Sequence, residues 1–168
     1  MSFSLIPTIR ADALTDLTVE LLRSRGIELL MLDFDNTIVP YTTNVPTQQM
    51  QAWLQEMCRS DIRVCVVSNS KNNRVKEFCA AYGLDCITRA KKPFSKGIRQ
   101  CMEKYGMQPQ QCALAGDQIY TDTLGANCAG VKSILVKAIH NHNFWLKLRH
   151  VAEMPFIWAA GSRRIKND

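Results

Sequence analysis

Four consecutive apolar residues, Leu29-Leu30-Met31-Leu32, run straight into Asp33-Phe34-Asp35-Asn36-Thr37. A run that is apolar at every position, without alternation, is the pattern of a strand buried on both faces, as in a parallel sheet. Asp33 then falls at the carboxyl end of that strand, where open α/β sheets bind their ligands. Two carboxylates two residues apart at the mouth of a buried strand are costly unless a cation or hydrogen bonds offset their repulsion. The simplest offset is Mg²⁺, a hard ion that takes oxygen ligands. Taken alone, Asp35-Asn36-Thr37 is also good turn and cap chemistry, so the rest of the chain decides.

The remaining elements alternate. Thr18 caps a short helix, Val19–Arg25, that stops at Gly26. The first strand covers about 28–34, and a turn-rich stretch runs from Pro40 to Pro46. The spacing of Met50, Trp53, Leu54 and Met57 predicts a helix over 47–60. Ile62–Val67 is a second buried strand that ends in Ser68-Asn69-Ser70. A helix over about 72–82 follows, then a short strand over 85–90 and Lys91-Lys92-Pro93. A helix over 94–105 stops at Gly106, and the strand Cys112–Ala115 runs into Gly116-Asp117. A short helix over 121–129 and a strand over 133–136 complete the series. This order predicts a doubly wound, Rossmann-like α/β fold around a five-stranded parallel sheet. Right-handed crossovers bring the strand ends to one edge. Asp33, Asp35, Ser68, Lys92 and Asp117 all fall at or just beyond such ends.

Length and composition narrow the classes. A chain of 168 residues suits one domain with a real core. Seven Cys, odd in number and without a CxxC pair, read as reduced residues of a cytoplasmic protein rather than as a disulfide framework or zinc site. No basic-then-apolar leader opens the sequence, and no apolar run reaches the ~18 residues of a membrane span. The formal charge is +6, and residues 137–168 hold six cations against two acids. A basic excess suits anionic or phosphate-bearing partners. His140 and His142 read as part of a solvated loop, since no third zinc ligand is evident.

The ordered set D-x-D-x-T, apolar run then Ser, Lys-Pro, and G-D-x-x-x-x-D resembles the four motifs of the haloacid dehalogenase (HAD) superfamily, over residues 28–136. The resemblance implies that Asp33 is a nucleophile forming an aspartyl-phosphate and that Asp35 is the general acid/base. It implies that Ser68, with Asn69 beside it, binds the phosphoryl group. Lys92 would neutralise nucleophile and phosphate, with Lys91 the alternative cation. Asp117 and Asp122, with Asp33 and the main-chain carbonyl of Asp35, would hold Mg²⁺. An acid at position 35 points to phosphatase or phosphomutase chemistry. The short intervals from Asp35 to Ser68 and from Ser68 to Lys92 leave no room for a cap domain, which favours hydrolysis at an open site.

Within the superfamily the motifs resemble the capless subclass IIIA, and most closely the phosphatidylglycerophosphate phosphatases. L-D-x-D-N-T, the Ser68-Asn69 pair, A-x-K-P and G-D-Q-x-x-T-D carry that likeness over residues 5–140. It implies dephosphorylation of an anionic phospholipid by a single domain, 1–168, with no nucleic-acid partner. Residues 143–168 mix Phe144, Trp145, Phe156 and Trp158 with Lys147, Arg149, Arg163 and Arg164. Such a basic, aromatic tail suits peripheral contact with a membrane through 143–166, or packing on the domain or a partner. A phosphatase for a soluble sugar phosphate, nucleotide or phosphoprotein, or a non-catalytic adaptor, is the competing expectation.

Overall fold

A computed structural model describes residues 3–71 and 73–139. Its centre is a parallel sheet of six strands: β1 (Ile9–Arg10), β2 (Leu29–Leu32), β3 (Arg63–Val67), β4 (Asp85–Ile87), β5 (Cys112–Gly116) and β6 (Lys132–Leu135). Their spatial order is β1-β6-β5-β2-β3-β4. The chain starts at the edge strand β1, enters the middle of the sheet at β2, adds β3 and β4 on one side, then returns to fill β5 and β6 between β2 and β1. β2 therefore lies at the topological switch point, and the crevice at its carboxyl end is the ligand position of doubly wound folds.

The helices are α1 (Val19–Ser24), α2 (Gln48–Arg59), α3 (Asn73–Tyr82), α4 (Lys96–Tyr105) and α5 (Leu124–Ala129). Side chains alternate across a strand, and β2 divides accordingly. Leu30 and Leu32 pack with residues of α1, α2 and α3 on one face. Leu29 and Met31 pack with α4 and α5 on the other. All four are fully buried, which explains the unbroken apolar run. Thr18 and Thr47 cap α1 and α2, accepting from the amides of Leu21 and Met50 at 3.2 Å. Trp53 buries its ring and donates through Nε1 to the Leu17 carbonyl at 2.8 Å, tying α2 to the segment before α1. Among the described residues one helix connects β2 to β3 and one connects β3 to β4, so no cap domain is inserted there.

The sheet has six strands rather than the five expected. The additional one, β1, is two residues long, too short for a periodicity signal. Its pairing, Ile9 with Ile134 and Arg10 with Leu135, is set by tertiary contacts. Ser133 Oγ receives the Thr8 amide at 3.0 Å, and Asn127 accepts from Ser133 Oγ at 2.9 Å. The strand expected over 85–90 ends at Ile87, because Arg89 and Lys91 adopt positive φ (54° and 58°). The helix expected over 121–129 begins as a π-helical turn, Ile119–Thr123, before α5. The expected tail, 143–168, and His140 and His142 lie outside the described residues.

Replacing Leu30 by Ala removes a fully buried side chain from the central strand and should cost about 2–5 kcal/mol of stability. Urea denaturation measures it; an unchanged midpoint would contradict the placement of β2 in the core.

Candidate active site

The carboxyl edge of the sheet gathers the predicted residues. Asp33 continues β2 for one more rung, its amide donating to the Ala115 carbonyl at 2.8 Å. It is 7 % exposed. Asn36, fully buried at φ 67°, turns the chain back on itself, and its amide donates to the Val39 carbonyl at 2.7 Å. This tight turn leaves Asp35 half-buried and sends Thr37 toward β5, where its hydroxyl lies 3.3 Å from Asp117 Oδ1.

Lys92 reaches the centre from the loop after β4. The two positive-φ residues, Arg89 and Lys91, fold that loop onto the end of β3. The Arg89 and Ala90 amides donate to the carbonyls of Ser70 and Ser68, at 3.1 and 3.0 Å. Asn69, expected to bind substrate, brackets the Lys92 main chain with its amide group. Asn69 Nδ2 donates to the Lys92 carbonyl at 2.8 Å, and Asn69 Oδ1 accepts from the Lys92 amide at 2.6 Å. Ser68 is buried at the same edge, its hydroxyl receiving the Ser70 amide at 3.0 Å.

The Lys92 ammonium, 1 % exposed, lies 2.6 Å from Asp33 Oδ1 and 2.7 Å from Asp122 Oδ1. Taking such ions out of water costs several kcal/mol each, and only close, well-paired contacts offset it. Burial would push the ammonium down, but the carboxylates of Asp122 and Asp33 outweigh it and hold the lysine charged. Burial pushes the Asp33 carboxyl up to about 6, assisted by Asp122 and opposed by Lys92. Asp122 is carried by the π-helical turn, which lets its Oδ2 accept the Gln118 amide at 3.1 Å. A Cβ on Gly116 would fall 2.3 Å from that carboxylate, so the close approach of Asp122 to β5 requires glycine there.

Oxygens of Asp33, Asp117 and Asp122 lie within 4.8 Å of one another. One ammonium cannot neutralise three carboxylates, so this donor set fits a hard divalent cation. The carboxylate of Asp35 stands apart from the cluster. Arg74 in the first turn of α3 donates to its Oδ1 at 2.7 Å. Burial raises the Asp35 carboxyl, and Arg74 opposes that rise.

A family model described as HAD-hydrolase-like matches residues 89–142. The probable phosphatase YqeG of Bacillus subtilis is 34% identical over 120 residues, which is 71% of this chain and 70% of YqeG. The chain belongs to the HAD-like hydrolase family. Solved structures share the fold at low identity. The cobalt-bound deoxy-D-mannose-octulosonate 8-phosphate phosphatase of Haemophilus influenzae superposes with a TM-score of 0.54 at 15% identity, covering 82% of this chain and 91% of its own. A Legionella pneumophila protein assigned to HAD subfamily III A gives 0.56 at 16% identity, covering 77% and 74%.

In this HAD hydrolase the sequence-predicted Asp33, Ser68, Lys92, Asp117 and Asp122 all come to one buried cluster or its border. Sequence reasoning named Thr37 and Gly116 only as members of the D-x-D-x-T and G-D-x-x-x-x-D patterns, and it missed Arg74. Arg74 lies four residues past Ser70 in the first turn of a helix that leaves the carboxyl edge, which puts it near the site without showing what it grips. The reason for glycine at 116 was not readable there, because it depends on where Asp122 packs.

Lys92→Met leaves buried carboxylates without their cation and should cost about 3–5 kcal/mol in urea denaturation with chelator present. Added Mg²⁺ should restore part of that loss; equal stability of variant and parent would contradict the site. Mg²⁺ should also raise the melting temperature of the parent by mass action, and Asp117→Asn should abolish that rise.

Proposed function

We propose that this HAD hydrolase is a phosphomonoesterase of the capless subclass IIIA that removes the phosphate of phosphatidylglycerophosphate. The observation that carries the phosphatase reading is the buried Lys92 ammonium between Asp33 and Asp122. Attack by a carboxylate on a phosphate ester sets two anions against each other, and a fixed, desolvated cation screens them. The similarity to YqeG, named a probable phosphatase, supports the same reading.

In this reading Asp33 attacks phosphorus, the phosphorus–oxygen bond to the leaving alcohol breaks, and an aspartyl-phosphate forms. Asp35 protonates the leaving oxygen, then takes a proton from the water that hydrolyses the intermediate. Ser68 donates its hydroxyl to a phosphoryl oxygen, and Asn69 keeps Lys92 in place. Asp33, Asp117, Asp122 and the Asp35 carbonyl would hold Mg²⁺, which screens charge between nucleophile and phosphate.

The lipid assignment is supported by the rim of the site. Tyr41, Val45, Phe94, Tyr120 and Ile139 all follow carboxyl ends of strands, and all are exposed, Phe94 to 73 % and Val45 to 68 %. Lys71, Arg89, Lys91 and Lys96 are exposed among them. Apolar and cationic side chains around an open mouth suit a head group presented at an anionic bilayer surface. Among the described residues no helix is long and apolar enough to cross a membrane, so the contact would be peripheral. The basic, aromatic tail of the single domain 1–168 could add to it.

Asp33→Asn should abolish turnover while leaving the denaturation midpoint within about 1 kcal/mol of the parent. Hydrolysis of phosphatidylglycerophosphate in vesicles should exceed that of soluble sugar phosphates by at least about tenfold. Faster hydrolysis of a sugar phosphate would overturn the lipid assignment and favour the activity named for the octulosonate phosphatase neighbours. No metal-dependent turnover of any phosphate ester would leave the non-catalytic reading.

A further inference from the structure

We propose that Arg74 is a positioning residue with two coupled tasks. It orients the Asp35 carboxyl and clasps the loop 40–44 that walls the mouth of the site. The first task rests on the reading of Asp35 as general acid/base; the second does not.

Arginine has five donors in a rigid planar fork, and Arg74 distributes them over one acid and one loop. Nη1 donates to Asp35 Oδ1 at 2.7 Å. Nη2 donates to the carbonyls of Pro40 and Thr43, and Nε donates to Asn44 Oδ1. The guanidinium carbon lies 5.1 Å from the centroid of the Phe34 ring, a cation–π distance. Phe34 is fully buried between the two catalytic aspartates in sequence and meets Phe78 edge-on at 5.1 Å. The guanidinium thus rests on a floor that cannot yield without disturbing the core. Its side chain is 17% exposed, and that of Asp35 is 22%, so the pair is only partly screened by water.

Tyr41 and Val45 are exposed, and the segment Pro40–Pro46 has no regular structure. Within it the Thr43 amide donates to the Pro40 carbonyl at 3.4 Å and the Val45 amide to Thr43 Oγ1 at 3.0 Å. Arg74 comes from α3, on the far side of β3 in sequence. One side chain therefore couples the attitude of the acid to the position of the wall. The ion pair engages Oδ1, and in this proposal the proton is carried on Oδ2. A carboxyl that must give and then take a proton at one place gains from being held by its other oxygen.

The experiment compares R74A, R74K and D35N with the parent, with Mg²⁺, on p-nitrophenyl phosphate. Its leaving group needs no protonation, whereas breakdown of the aspartyl-phosphate still needs an oriented base. R74A should keep the rapid first-turnover release of p-nitrophenol, and its steady-state kcat should fall on the order of 10- to 100-fold. R74K should regain part of the steady-state rate, since an ammonium can pair with Asp35. Chymotrypsin cleavage after Tyr41 should accelerate several-fold in R74A and in R74K, because lysine lacks the fork that binds the loop. D35N should show the same retained burst and slowed turnover. Burst and steady-state rates that fall together in R74A, with no recovery in R74K, would reduce Arg74 to a structural residue and overturn the proposal. Unchanged kinetics in R74A would overturn it as well, and unchanged cleavage after Tyr41 would overturn the clasp. Full turnover by D35N would instead overturn the acid/base reading, leaving the clasp to the cleavage rates.

Discussion

The buried ion cluster of Lys92 with Asp33 and Asp122 constrains the rest of the structure. Charges so well hidden are tolerated only when each meets its partner at contact distance, and the contacts here are 2.6 and 2.7 Å. Each partner comes from a different segment: the end of β2, the loop after β4 and the turn after β5. Much of the local irregularity at the carboxyl edge serves this meeting. The positive-φ residues Arg89 and Lys91 turn the Lys92 loop inward. Asn69 locks that loop to the end of β3. The π-helical turn and Gly116 let Asp122 lie against β5. Regular strands and helices alone would leave these groups pointing in separate directions.

The same arrangement gives two neighbouring acids different surroundings. Asp33 is nearly enclosed and faces an ammonium, surroundings that suit the charged nucleophile proposed above. Asp35, two residues on, is half-buried and faces the guanidinium of Arg74. The turn at Asn36 separates their surroundings, and different surroundings are what give paired carboxylates different chemical tasks. Phe34, between them in the sequence, is buried against Phe78 and lies beneath Arg74.

Much of this was legible in the sequence. The run 29–32 announced a strand buried on both faces, and the sheet faces of Leu29–Leu32 bear that out. The order of motif residues placed Asp33, Ser68, Lys92 and Asp117 at one edge because parallel topology leaves no other place for strand ends. Three kinds of feature were not legible. The two-residue β1 depends on pairing with β6, which no local pattern encodes. The hold of Asn69 on the Lys92 main chain could not be read from its place beside Ser68, because it depends on how the loop after β4 folds back. Arg74 sits on the polar face of an amphipathic helix, where a charge ordinarily means solvent; only the folded loop 40–44 shows what it grips.

The central claim is that Asp33 carries the phosphoryl group in a covalent step, made feasible by Lys92 and the carboxylate cluster. The most direct measurement is rapid acid quench during turnover of a ³²P-labelled phosphate ester, followed by mapping of the labelled peptide. The account predicts acid-stable, hydroxylamine-sensitive label confined to Asp33 and absent from Asp33→Asn. Label on another residue, or Mg²⁺-dependent turnover that proceeds in Asp33→Asn, would contradict it.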